Sequence, residues 1–88
     1  LENSPDNASY LDTVGWIYFQ MGEYELAEHF LIASLTIDQE NAIIYEHLSD
    51  VYAKAKQVRK AVEALDKAIA IDQENEQLKE KRTLLSHE

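Results

Sequence analysis

The sequence predicts an all-α chain of repeated antiparallel helix pairs closed by a final helix, and three observations carry that prediction. Ile37-Asp38-Gln39-Glu40-Asn41 returns unchanged as Ile71-Asp72-Gln73-Glu74-Asn75, 34 residues later. Apolar side chains recur at i, i+3, i+4 and i+7, the spacing that gathers them on one face of an α-helix. Only 2 Gly and 1 Pro interrupt 88 residues, so few backbone breakers oppose helix.

The period reaches well beyond one pentapeptide. In the same register Ala8/Ala42, Tyr18/Tyr52, Ala27/Ala61 and Leu31/Leu65 are identical, making nine matches in 34 positions. Composition alone gives roughly two or three. Conservative pairs add to it, among them Asp12/Glu46, Val14/Leu48, Gly15/Ser49, Ile17/Val51 and Leu35/Ile69. Asn7, Asn41 and Asn75 continue the series beyond both copies. A unit repeated at this length buries its apolar face only against its neighbours.

Tyr10, Leu11, Val14, Ile17, Tyr18 and Met21 form the first stripe and predict a helix over 8–20. Ala27, Phe30, Leu31, Ser34 and Leu35 form the second, over 24–37, with Gly22 placed to take the left-handed conformation between them. Ile44, Tyr45, Leu48, Val51, Tyr52 and Ala55 predict a third helix over 42–55. Ala61, Ala64, Leu65, Ala68 and Ile69 predict a fourth over 58–71, and a fifth is expected over 76–86. The three asparagines suit the starts of the first, third and fifth helices, because an Asn side chain accepts a hydrogen bond from an otherwise unpaired backbone N–H. Small residues 12 apart, Gly15 with Ala27 and Ser49 with Ala61, mark where the two helices of a pair must approach closely.

Leu11-x-x-Val14-Gly15-x-x-Tyr18 followed by Ala27-x-x-x-Leu31 resembles the tetratricopeptide repeat, as does Tyr45-x-x-Leu48-Ser49-x-x-Tyr52 with Ala61-x-x-x-Leu65. The resemblance implies a right-handed superhelix with two repeats, 8–41 and 42–75, and a C-terminal capping helix in 76–88. Residues 1–7, through Pro5-Asp6-Asn7, resemble the tail of a preceding repeat or a linker. The local wording around 11–17 and 46–52 is similar to terminal repeats of bacterial members. Two departures stand out: Gln39 and Gln73 replace the proline that usually ends the second helix, and Lys56 and Val58 replace the usual Gly and Tyr of the second turn.

Composition narrows the function. A net charge of −9 opposes nucleic-acid binding, which rests on cationic side chains displacing counterions. The charge is uneven: residues 1–53 hold ten acids and no Lys or Arg, whereas 54–88 hold seven acids and eight bases. Apolar runs such as Ala42-Ile43-Ile44-Tyr45 fall far short of the roughly 20 residues that span a bilayer, so membrane insertion is not expected. The chain begins at Leu1 with no basic, apolar leader, and is expected to be a segment of a longer protein whose compartment, cytoplasmic or periplasmic, stays open. With no Cys there is no thiol nucleophile and no Cys-type zinc site. His29, His47 and His87 are expected on different helices, and His47 with Asp50 offers only two ligands, so no catalytic, metal or cofactor site is expected and the chain is not read as an enzyme.

The resemblance implies that the first helix of each repeat lines a concave groove for an extended peptide. Carried over by position, that groove comprises Ser9, Asp12, Trp16 and Phe19, then Ile43, Glu46, Asp50 and Ala53, then Gln77, Glu80, Leu84 and His87. The acids Asp12, Glu46, Asp50 and Glu80, with the rings of Trp16 and Phe19, point to a ligand carrying Lys or Arg beside apolar residues. Family members that clamp a chaperone's carboxylate tail use Lys, Arg and Asn there, and none stands at these positions. Alternatively Trp16 and Phe19 pack against neighbouring helices, and the segment is a structural end-cap or oligomerisation piece. Leu78, Leu84 and Leu85 are expected to face upstream from the last helix; two periods earlier they map onto Tyr10, Trp16 and Ile17, a candidate surface for a homodimer or an upstream repeat.

Overall fold

The computed structural model describes residues 8–86. Five helices follow in order: α1 (Ala8–Gln20), α2 (Tyr24–Ile37), α3 (Ala42–Lys54), α4 (Val58–Ile71) and α5 (Glu76–Ser86). No strand occurs among the described residues. The expected boundaries hold except that α3 stops one residue early, at Lys54, with Ala55 as its C-cap. Residues 1–7, including Asn7 and the expected repeat tail, lie outside the described residues, as does His87.

The helices form two antiparallel pairs, α1 with α2 and α3 with α4; α3 also packs on α2, and α5 on α4. Ala27, Leu31, Ile44, Leu48 and Val51 make one core cluster, to which Tyr18, Phe19, Leu35 and Tyr52 add partly buried faces. Leu65, Ala68 and Leu78 make a second, flanked by Tyr45, Ile69 and Leu85. Each cluster thus joins one helix pair to the helix that follows it. The small residues 12 apart sit where the pairs close. A Cβ on Gly15 would stand 2.9 Å from Leu31 Cγ and 3.1 Å from the Ala27 carbonyl oxygen. In the second pair the buried Ser49 hydroxyl donates to the Ala61 carbonyl at 2.8 Å. Ser34, also buried, donates to the Ala8 carbonyl at 2.6 Å and ties the end of α2 to the start of α1.

The repeated pentapeptide has a local cause. Asn41 Oδ1 accepts from the backbone N–H of Ile43 and Ile44, capping α3. Its Nδ2 donates to Asp38, the C-cap of α2, at 2.9 Å. Asn75 repeats both roles, accepting from Leu78 N and donating to Asp72 at 3.1 Å. One Asp–Asn unit therefore ends a helix and starts the next without the proline this chain lacks there.

The two intra-pair turns share one geometry although their residues differ. Glu23 N donates to Tyr18 O and Gln57 N to Tyr52 O, with Gly22 at φ 81° and Lys56 at φ 66°. Lys56 therefore takes the glycine conformation, at the steric cost of a Cβ near the carbonyl oxygen. Lys56→Gly is expected to raise stability by up to about 1 kcal/mol, part of the relief being lost to the freer unfolded chain. Thermal melts of the two proteins check this; equal or lower stability in the glycine variant would contradict it.

Exposure along the register defines the open ends. Ile44, Val51 and Leu78 are 1% exposed, because each packs on the helix pair before it. Their counterparts in α1, Tyr10 and Ile17, are 66% and 50% exposed. The expected upstream set needs one correction. Leu78 is buried and Leu85 partly so, but Leu84 is 68% exposed and does not face upstream. Six residues turn an α-helix by about 240°, whereas seven bring it nearly full circle. By the same rotation Trp16 leaves the upstream face and turns toward α3, where its ring meets His47.

Candidate peptide-binding groove

The first helices of the pairs, α1 and α3, and the final helix α5 carry the residues expected to line the groove. On α1, Asp12, Trp16 and Phe19 are partly buried. The ring centroids of Trp16 and Phe19 lie 4.7 Å apart, and Phe19 also packs against the core cluster and 5.9 Å from Tyr24. The two rings pack on neighbours and keep part of their surface in solvent.

Two residues that sequence reasoning missed organise the acids. His47 Nδ1 lies 2.8 Å from Asp12 Oδ1, and its ring centroid is 4.4 Å from that of Trp16. An ionised carboxylate only accepts, so Nδ1 carries the proton in this contact. Lys81 Nζ donates to Glu46 Oε2 and to Asp50 Oδ1, both at 2.9 Å. His47 and Lys81 are 34 residues apart and occupy the same register position. Each is received between two residues one turn apart on the preceding first helix, 12 and 16 or 46 and 50. The usable signal in the sequence was the basic residue immediately after each acid, His47 after Glu46 and Lys81 after Glu80.

Burial lowers the pKa of the Lys81 ammonium and the carboxylates of Glu46 and Asp50 raise it; the carboxylates prevail and hold it above its ordinary 10.5. Arg82 anchors the other edge of α5, donating from Nε to Asp66 at 2.8 Å. Glu80 is exposed and has no hydrogen bond or ion pair among the described residues. Of the other expected groove residues, Ile43 is 60% exposed, Leu84, Ser9 and Gln77 are exposed and Ala53 is partly buried. Among the described residues no three His, Asp or Glu side chains converge as metal ligands, and no helix is long and apolar enough to cross a membrane.

A separate cleft of about 420 Å³ lies between α2 and the end of α3, lined by Tyr24, Glu28, Tyr52, Lys54 and Lys56. There the Tyr52 hydroxyl donates to Glu28 at 2.7 Å. Burial first, and the Glu28 carboxylate second, push the Tyr52 phenol well above its usual range. That interaction braces α2 against α3 rather than preparing a reactive group.

Comparison with known proteins bears on the fold. The chain aligns with the uncharacterized protein ycf37 of Pyropia yezoensis, 27% identical over 75 residues, covering 85% of this chain. It spans 42% of that relative's length. Among solved structures it superposes on the first TPR of Spaghetti (RPAP3), bound to the HSP90 peptide SRMEEVD, with a TM-score of 0.85. The identity there is 19%, over 94% of this chain and 68% of that one, so this likeness shows the fold alone. A family profile described as tetratricopeptide repeat matches residues 17–85. With the repeated helix pairs, the close contacts at Gly15 and Ser49 and that match over most of its length, the chain belongs to the tetratricopeptide-repeat family.

Proposed function

We propose that this segment is a non-catalytic protein-interaction module whose α1–α3–α5 face takes an extended peptide carrying Lys or Arg beside apolar residues. The observation that carries the reading is the partly exposed Trp16–Phe19 pair on a face whose carboxylates, Asp12, Glu46, Asp50 and Glu80, outnumber the lysines beside them, Lys79 and Lys81, both already paired with carboxylates. Aromatic rings supply contact area and the surplus acids supply sign selectivity. The structural neighbour's peptide, SRMEEVD, is acid-rich toward its end; this face, whose lysines are already paired with its own carboxylates, favours the opposite charge. Trp16 is the only tryptophan, so its fluorescence reports the face directly. Basic, apolar-flanked peptides are expected to perturb it, more weakly as salt rises. Preferential capture of acidic peptides would overturn the reading.

The exposure of Ile17 supports a second reading, in which α1 packs on another copy or an upstream repeat, with Tyr10 contributing to a face whose equivalent positions Ile44, Val51 and Leu78 are buried. Trp16, turned toward His47, contributes little to it. The acid excess of residues 1–53 opposes a homodimer, so salt is expected to strengthen it. Sedimentation equilibrium of the native chain and Ile17→Glu across concentration and salt decides: association lost in the variant supports the reading, and a native chain monomeric throughout refutes the homodimer.

A further inference from the structure

The ladder of first helices repeats one device. An acid and the residue one turn later form a seat, and a basic side chain from the next first helix fills it: Asp12 and Trp16 receive His47, and Glu46 and Asp50 receive Lys81. Glu80 and Leu84 are the same two register positions on α5. They border a shallow concavity of about 430 Å³ shared with Glu76, Lys79 and Thr83. Lys79 is turned to Glu76, 3.7 Å away, which leaves the Glu80 carboxylate available.

We propose that Glu80 and Leu84 form a third seat, filled by a Lys or Arg side chain of the partner. This deepens the reading of the groove above and rests on it. Of the acids on that face, Asp12, Glu46 and Asp50 already have partners within the chain, so a ligand cation meets least competition at Glu80. The second residue of each seat suits what fills it. Trp16 offers a ring to an imidazole and Asp50 a second carboxylate to an ammonium; Leu84, 68% exposed, offers an aliphatic surface on which the methylenes of Lys or Arg can lie.

The register positions of Leu48, Ser49 and Tyr52 on α3 are held on α5 by the polar residues Arg82, Thr83 and Ser86. Arg82 is committed to Asp66 and Ser86. The concavity is shallow, and the occupant engages it through one basic side chain on an extended segment.

The test uses the whole chain and a defined probe, an acetylated Ala-Leu-Lys-Leu-Ala amide, beside a counterpart with norleucine at the centre. Amide chemical shifts from titrations at low and high salt locate and quantify binding. The lysine probe is expected to shift α5 amides around residues 80–84, and Glu80→Gln to weaken it about two- to fivefold, the range of an exposed ion pair. Leu84→Ser is expected to weaken both probes, and Glu76→Gln to change neither appreciably. Lysine-probe binding that perturbs Trp16 but is indifferent to Glu80→Gln would overturn the seat and leave the groove reading intact. Absence of lysine-probe binding at low salt would overturn both. Glu80-dependent self-association in sedimentation would make a second copy the occupant and overturn the proposal as stated.

Discussion

Truncating Leu31 to Ala is expected to cost about 2–5 kcal/mol, the range for a fully buried leucine whose site cannot collapse. Leu31 has no solvent exposure and packs in the cluster that joins both helix pairs. At this chain length each kcal/mol lowers the midpoint by about 4–8 °C, so a thermal melt followed by circular dichroism resolves the loss easily. The same site gives a sharper test through Gly15. In the native background Gly15→Ala drives a Cβ to 2.9 Å from Leu31 Cγ, and overpacking of that kind typically costs about 1–3 kcal/mol. In the Leu31→Ala background most of that collision is gone, and alanine regains a helix-propensity advantage of about 1 kcal/mol over glycine. The second substitution should therefore cost far less, or reverse sign, when made on the first. Additive losses would show that the two residues are not in contact and would contradict the close approach of α1 and α2.

Replacing Lys81 with Met is expected to cost about 1–2 kcal/mol. It removes two charge-assisted hydrogen bonds and leaves Glu46 and Asp50 repelling each other one turn apart. About a third of the Lys81 side chain meets solvent, so screening keeps the figure below that of a buried pair. The pH dependence has a definite sign. A base whose pKa is raised in the folded state stabilises fully below its unfolded value, and that contribution fades as pH rises through the folded value. Native and Lys81→Met proteins should thus differ most at neutral pH and converge above about pH 10.5. A difference that persists undiminished at higher pH would mean the loss came from packing of the lysine stem.

Helix identity and most boundaries could be read from the sequence because apolar periodicity and Asn caps act locally: Asn41 and Asn75 perform the caps expected of them. The groove positions were legible only as a face. What escaped was where the polar side chains on that face go. Lys81 reaches back from α5 to α3, and nothing within its own helix specifies that; the destination depends on how successive pairs stack. His47 was weighed against Asp50 on its own helix, and its contact proved to be Asp12, 35 residues away. Leu84 leaves the upstream face because it stands six residues after Leu78, about 240° round the helix, and apolar content alone does not specify that direction.

The longest hydrogen bonds and ion pairs described here join residues 35 positions apart, Asp12 to His47 and Glu46 to Lys81. Every tie thus closes a short loop, and loop closure is what slows the formation of distant contacts. Such a chain is expected to fold quickly, and it can begin at either helix pair. It also opens unequally. Among the described residues α5 is held by Leu78, Leu85, Lys81 and Arg82, so in this segment its amides are expected to exchange with solvent earlier than those of α2 and α3, without waiting for the whole to unfold.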